Sequence, residues 1–447
     1  MVDQNTAKAF LEIFSAATLT LIGRIFASVL GLIVSIIIAR KFGPEMTGFL
    51  GIVGAWALLF AYPAAFGFQA SILRLIPEFR SKYSSYPLKR LFNYVIFFVL
   101  IMAMISALIF ILLNAFWPKF IRLDLVGEKR AVLHVSILIL LKAVLLVATN
   151  GLRAFGFNKA FAFFQLFTPL INLVGLLVLI PVLGDISPLY ALILSFLVPV
   201  IFSIFFVNST WPTIEGPQSS AQIQFTKILK ISFPMMIAGY VGILASELGV
   251  LLLGAHATVE EVGLYVIAFK ISFIPAMLLK AVNAVISPKI SELYFSGDID
   301  LMFTLCRLFT FFSTFFAGLF LVIFFYFGEQ LFSVIYGDAF IGSSPILMVL
   351  LVAQFINAAT GSSGDLMQMT EDEKTHRDVT IYGVIVYLAA SFMLIPYLGA
   401  LGIAIALVLA EIVWNGVALM FIFRKFRQLP LPRLSEVIAV GQTQFFK

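Results

Sequence analysis

Apolar residues in this chain neither alternate nor recur every third or fourth position; they run for about 20 residues at a time, and short polar segments separate the runs. Twelve runs stand out, at about 16–39, 48–73, 91–113, 131–149, 161–183, 188–207, 231–254, 262–287, 305–327, 344–364, 379–398 and 400–423. Each predicts a membrane-spanning helix, because lipid offers no partner to a backbone group that the segment leaves unbonded. The division at Gly399 admits two short spans or one long bent one.

The longest hydrophilic interruption runs from Asn208 to Lys230 and carries Trp211-Pro212, Gly216-Pro217 and Ser219-Ser220, the composition of a loop. It divides the chain into an N-terminal six-helix bundle (1–207), a cytoplasmic linker (208–230) and a C-terminal six-helix bundle with a short basic tail (231–447). The halves read as copies. Ile180-Pro181-Val182-Leu183-Gly184 matches Ile395-Pro396-Tyr397-Leu398-Gly399 at an offset of 215, and the same offset joins Glu45 to Glu260, Gly48 to Gly263 and Lys159 to Lys374. Six intervening spans keep each copy's orientation, so the repeat is parallel, about an axis along the membrane normal. Pro63 and Pro275 fall within the second and eighth spans, where a proline removes one helical hydrogen bond and is expected to kink the helix. Gly48, Gly51 and Gly54 lie close to one helical face and predict close helix packing.

Composition strengthens the membrane reading. Hydrophobic residues make up 62% of the 447 positions and charged residues only 12%, about half the share in a soluble domain. The 49 phenylalanines suit a lipid-facing surface. The first span is too long for a cleaved leader and is expected to remain as an anchor. With one cysteine, Cys306, no internal disulfide and no cysteine-based metal cluster can form. The net charge of +6 is a topological signal: with the N-terminus inside, most loop Lys and Arg fall on inward segments, which predicts both termini in the cytoplasm. Nucleic-acid binding is not its expected use.

No enzyme constellation is visible. His134, His256 and His376 are far apart, no Gly-rich phosphate loop ends in Lys-Ser/Thr, and no metal or organic cofactor is expected. The informative residues are charges inside spans, each of which costs roughly 2.5–3.5 kcal/mol at the bilayer centre. The cations are Arg24 in span one, Lys142 in span four, and Lys270 and Lys280 in span eight; the acids are Glu247 in span seven and Glu411 in span twelve. Structural ion pairs would balance, and one such pair would be Lys270 with Glu247. The excess of cations instead predicts a cavity for an anionic ligand, with Arg24 suited to phosphate by its planar fork. Glu247 and Glu411 are the candidates for coupling to protons.

The stretch from Leu21-Ile22-Gly23-Arg24 through Ala39-Arg40-Lys41-Phe42-Gly43-Pro44-Glu45-x-x-Gly48, Ala65-Phe66-Gly67-Phe68 and Leu73-Arg74-x-Ile76-Pro77-Glu78 resembles the Wzx-type polysaccharide transporter family. So do Asn172 to Gly184 and the repeat at 394–399. That family shares a superfamily with the MATE exporters and the lipid II flippase. The resemblance implies an all-α integral membrane fold of about twelve helices in two pseudo-symmetric six-helix bundles, V-shaped, in a prokaryotic cytoplasmic membrane. It implies a flippase for a polyprenyl-diphosphate-linked oligosaccharide, driven by a proton or sodium gradient if by any, with a polymerase and glycosyltransferases as partners. Spans one, two, seven and eight line the cavity in such folds, which includes Arg24, Glu247, Lys270 and Lys280 but not Lys142. Two other readings stand beside it: a MATE-like exporter of small organic molecules, whose cavity would be acidic, and a non-transporting scaffold for glycan assembly, which would need no buried charge.

Overall fold

A computed structural model describes residues 4–80, 85–118, 131–209, 225–361 and 363–432, without the side chains of 4–22, Arg24, Arg80, 85–87, Asn158, Ala238, Ala245, 278–285, Pro288 and Glu373. Every regular element among these residues is helical: α1 (Gln4–Ala64), α2 (Phe68–Arg80), α3 (Ser85–Phe116), α4 (Ala131–Ala154), α5 (Asn158–Leu183), α6 (Ser187–Ser209), α7 (Phe225–His256), α8 (Val259–Ser296), α9 (Ile299–Tyr336), α10 (Ser343–Ala359), α11 (Ser363–Met369) and α12 (Glu373–Phe426). Two of them are pairs joined at a glycine. The backbone of α1 is non-helical at Gly43 (φ 76°, ψ −176°) and that of α12 at Gly399 (φ 51°, ψ −127°). The first two spans therefore meet at one residue, with no loop between them, and Gly399 separates two spans. Counting each as two, with α2 prolonging α1 and α11 prolonging α10, twelve helical segments are present among the described residues, and eight stretches of them are long and apolar enough to cross a membrane. The centre of the linker, 210–224, lies outside them.

Contacts divide the chain into two compact units, residues 1–42 with 49–251, and residues 43–48 with 252–447. These are not the sequence halves: most of α7 belongs to the first unit and a short piece of α1 to the second. A repeat follows chain order, whereas a compact unit follows packing. In both units small and weakly polar side chains go inside. Ala57, Ala61, Ala103, Ala143, Ala148 and Ser203 are buried in the first unit, and Ala353, Ala404, Ala406, Ser363 and Ser391 in the second. Many large rings lie outside, as with Phe97, Phe116 and Phe205, and Phe315, Phe325 and Phe392, while Phe92 and Phe110, and Phe303 and Phe332, are fully buried. Lipid is as apolar as phenylalanine, so a large ring is well placed on either side, and close approach of small residues adds to the packing.

The repeat is legible in backbone geometry. Gly184 (φ 56°, ψ −127°) and Gly399 (φ 51°, ψ −127°) share a conformation at the offset of 215. At that offset α4 ends at Ala154 and α11 at Met369, while α5 begins at Asn158 and α12 at Glu373. The turn between them has a left-handed residue in both copies, Gly156 (φ 86°) and Glu371 (φ 66°). A side chain in that conformation costs about 1–2 kcal/mol. Glu371→Gly is therefore expected to leave stability unchanged or raise it by about 1 kcal/mol, after the greater chain entropy of glycine is subtracted. Gly156→Glu, which has open space around it, should lower stability by about 1–2 kcal/mol. Thermal unfolding of both variants in detergent checks this, and equal losses would refute the equivalence of the two turns.

Candidate functional site

In the first unit the site begins where span two breaks. Pro63 has no N–H to give, and α1 ends one residue later at Ala64. The chain then turns through Phe66 (φ 52°) and Gly67 (φ 77°) before α2 starts at Phe68. An aromatic residue in the left-handed region is strained by about 1–3 kcal/mol and persists only where its surroundings hold it. Here Phe66 packs against Phe98 (5.5 Å) and Phe233 (5.8 Å). Gly67 lies directly on the carbonyl of Ser232, leaving no room for a Cβ. One turn on, the Ser71 and Ser232 hydroxyls share a buried hydrogen bond of 2.6 Å. Further along the same pair of helices, Tyr62 stacks on Tyr240 (6.3 Å) and its hydroxyl rests against Gly239. At Pro275, by contrast, α8 runs on unbroken from Val259 to Ser296.

Lys142 stands at the middle of this unit. Its ammonium donates to the Gly54 carbonyl on α1 (3.0 Å) and lies 5.2 Å from the centre of the Phe196 ring on α6. It also acts electrostatically on Glu247 of α7, whose carboxylate accepts from Ser246 (3.3 Å). Lys142 thus ties spans two, four and six together. The sequence suggested Lys270 as the structural partner of Glu247. Within the first unit the cation near Glu247 is Lys142, because the α4 face carrying it turns into the unit, a rotation that apolar run length cannot specify.

In the second unit Lys270 is solvent-exposed on α8 and makes no ion pair with a described residue, although it sits amid an apolar run. Glu411 accepts from Asn415 Nδ2 (2.8 Å), one turn on, and Asn415 Oδ1 accepts from Ser363 (3.4 Å). Asp365 accepts from Ser287 (3.3 Å). The side chains of Arg24 and Lys280 lie outside the described residues. Two features had no sequence signal. Asn415 looks like any polar residue on a helix, and Arg307, which reads as a loop cation, is buried and donates to the Leu429 carbonyl (2.9 Å) and Gln428 Oε1 (2.9 Å). Among the described residues no three His, Cys, Asp or Glu side chains gather as a metal site.

The second unit also holds the repeat's closest contact. Gly48, in its 43–48 segment, faces Gly263 on α8, and a Cβ on Gly48 would fall against the Val259 carbonyl and 2.8 Å from the Gly263 nitrogen. A Cβ on Gly263 would meet the Pro44 carbonyl. The two glycines that the offset of 215 equates therefore lie against each other.

Long apolar helices with a few charged side chains inside them define an all-α membrane transporter. The fold is similar to that of the inward-closed lipid II flippase MurJ (TM-score 0.64, 15% identity, 91% of this chain and 87% of that one). It is also similar to an inward-facing multidrug resistance MATE transporter of the MOP superfamily (0.66, 16%, 89% and 94%), and to a MOP superfamily transporter from Pyrococcus furiosus described as having a binding pocket of reversed polarity (0.60, 16%, 92% and 95%). By sequence, the chain belongs to the family described as polysaccharide biosynthesis protein, whose profile matches residues 14–294. No curated protein matches it.

Proposed function

We propose that this chain is a flippase that carries a polyprenyl-diphosphate-linked oligosaccharide from the cytoplasmic to the outer leaflet by alternating access. The observation that carries the reading is Lys270, a cation exposed in mid-span. A lysine there facing lipid would cost roughly 2.5–3.5 kcal/mol, so its place is a water-filled cavity. Family membership supplies the class of cargo. A diphosphate cannot cross hydrocarbon bare, since its charges would lose their hydration; fixed cations replace that hydration. Arg24 and Lys270 hold the diphosphate and Lys280 lies near the inner mouth. Lys142 helps to set the cavity's positive field, with Glu247 beside it. Glu247 and Glu411 are the acids through which a proton or sodium gradient would act. The protein lies in a prokaryotic cytoplasmic membrane with both termini in the cytoplasm, where the linked sugar is made, and a polymerase and glycosyltransferases work beside it. A MATE-like exporter of organic cations shares the fold but calls for a net acidic cavity, against the excess of cations here.

The test is outward movement of a fluorescent polyprenyl-diphosphate oligosaccharide in proteoliposomes. Removing one charge-assisted contact costs about 1.5–3 kcal/mol, so Arg24→Ala and Lys270→Ala should each slow movement by roughly ten-fold or more. Wild-type movement that both variants match would remove the site assignment. A wild type that moves no lipid but exports small cations would favour the exporter.

A further inference from the structure

A concave apolar surface lies on α9 of the second unit. Phe311, Thr314, Phe315, Gly318, Leu319 and Val322 recur on α9 at helical spacing and, with Pro432 of the tail, line an apolar groove of about 630 Å³. The concavity comes from the small residues: Gly318 has no side chain, and the Thr314 hydroxyl is spent inside the protein on the Thr310 and Ala358 carbonyls (2.7 and 3.3 Å). From Phe311 to Val322 the helix rises about 16 Å, close to one leaflet's half of a hydrocarbon core about 30 Å thick. At one end the tail is pinned in place, Arg307 donating to Leu429 and Gln428, and Gln428 Nε2 donating to Asp300 (2.6 Å). Arg424 and Arg427, where the tail leaves α12, are solvent-exposed.

We propose that this groove holds one acyl chain of a resident anionic phospholipid, whose headgroup lies against Arg424 and Arg427. Three observations select that occupant. The groove is on a membrane-spanning helix, so what reaches it is lipid. It is as long as one leaflet is deep, which fits an acyl chain and is short for a polyprenyl chain. Its pinned end is cationic, which favours a negative headgroup. The bound lipid would brace the tail against α9. This inference does not depend on the cargo, so failure of the flipping assay leaves it standing.

The experiment reconstitutes the full chain in vesicles of phosphatidylglycerol and phosphatidylcholine with added polyprenyl phosphate, re-extracts it in mild detergent and counts retained lipids by native mass spectrometry. Wild type should keep one phosphatidylglycerol per chain. Thr314→Leu/Gly318→Leu, which fills the groove, should lower that occupancy at least ten-fold. Arg424→Gln/Arg427→Gln should keep a lipid but lose the preference for the anionic one. Equal retention by wild type and the filled variant, retention of polyprenyl phosphate instead, or no retained lipid would each overturn the proposal. A measurement that needs no filled groove runs in parallel: the added fluorescence of Val322→Trp should be quenched more by brominated phosphatidylglycerol than by brominated phosphatidylcholine at equal mole fraction, and equal quenching counts against the site.

Discussion

Gly48→Ala is expected to cost the folded protein at least about 3 kcal/mol, at the upper end of what overpacking costs, because the added methyl meets backbone on both sides. Its neighbours would be the Val259 carbonyl and the Gly263 nitrogen, neither of which can swing away as a flexible side chain would. Gly263→Ala, against the Pro44 carbonyl, should cost a similar amount. The double variant should lose less than the two single losses added together, since one displacement of the helices relieves both clashes. Gly54→Ala is the control: nothing lies within 4 Å of its Cβ position, the carbonyl that Lys142 uses is kept, and helix propensity alone would favour alanine by about 1 kcal/mol. Thermal unfolding in detergent and the yield of monodisperse protein measure all four. A Gly48→Ala protein with wild-type stability would mean that the Gly48–Gly263 crossing is absent from the folded chain.

Lys142→Met is expected to lower stability by about 1–3 kcal/mol, the cost of leaving half-buried partners unsatisfied, and to slow transport. It takes a donor from the Gly54 carbonyl and the nearby cation from Glu247. Glu247→Gln alone should cost less, because Gln keeps most of the volume and Lys142 keeps Gly54. In the pair, Glu247→Gln should restore part of what Lys142→Met loses, giving a coupling energy of about 0.5 kcal/mol or more in a double-mutant cycle. Strict additivity would show that Lys142 and Glu247 do not act as a unit, and would return Glu247 to the list of unpartnered acids.

These two cases show how unevenly the sequence speaks. Gly48, Gly51 and Gly54 make one stripe on paper. Only a neighbouring helix separates Gly48, which has no spare room, from Gly54, which has open space. The repeat is a scaffold relation and does not extend to the charges inside the spans. At the offset of 215, Arg24 corresponds to Gly239, Lys142 to Asn357, Glu247 to Leu32, Lys270 to Ala55, Lys280 to Ala65 and Glu411 to Phe196. Backbone turns at Gly184 and Gly399 stayed alike because both copies must reverse at a membrane surface.

The amino-acid sequence by itself determined the apolar runs, the single offset relating the halves and the family. Each of these is written locally, in run lengths matched to a bilayer about 30 Å thick and in residues whose backbone freedom only glycine supplies. Only the tertiary structure decided that Lys142 donates to the Gly54 carbonyl, that span two breaks after Pro63 while α8 continues through Pro275, that Gly48 lies on Gly263, and that Arg307 pins the tail. Those outcomes depend on how far each helix is rotated about its axis and which helix lies beside it. Uniformly apolar spans carry little information about either, because every face of such a helix is equally content in lipid.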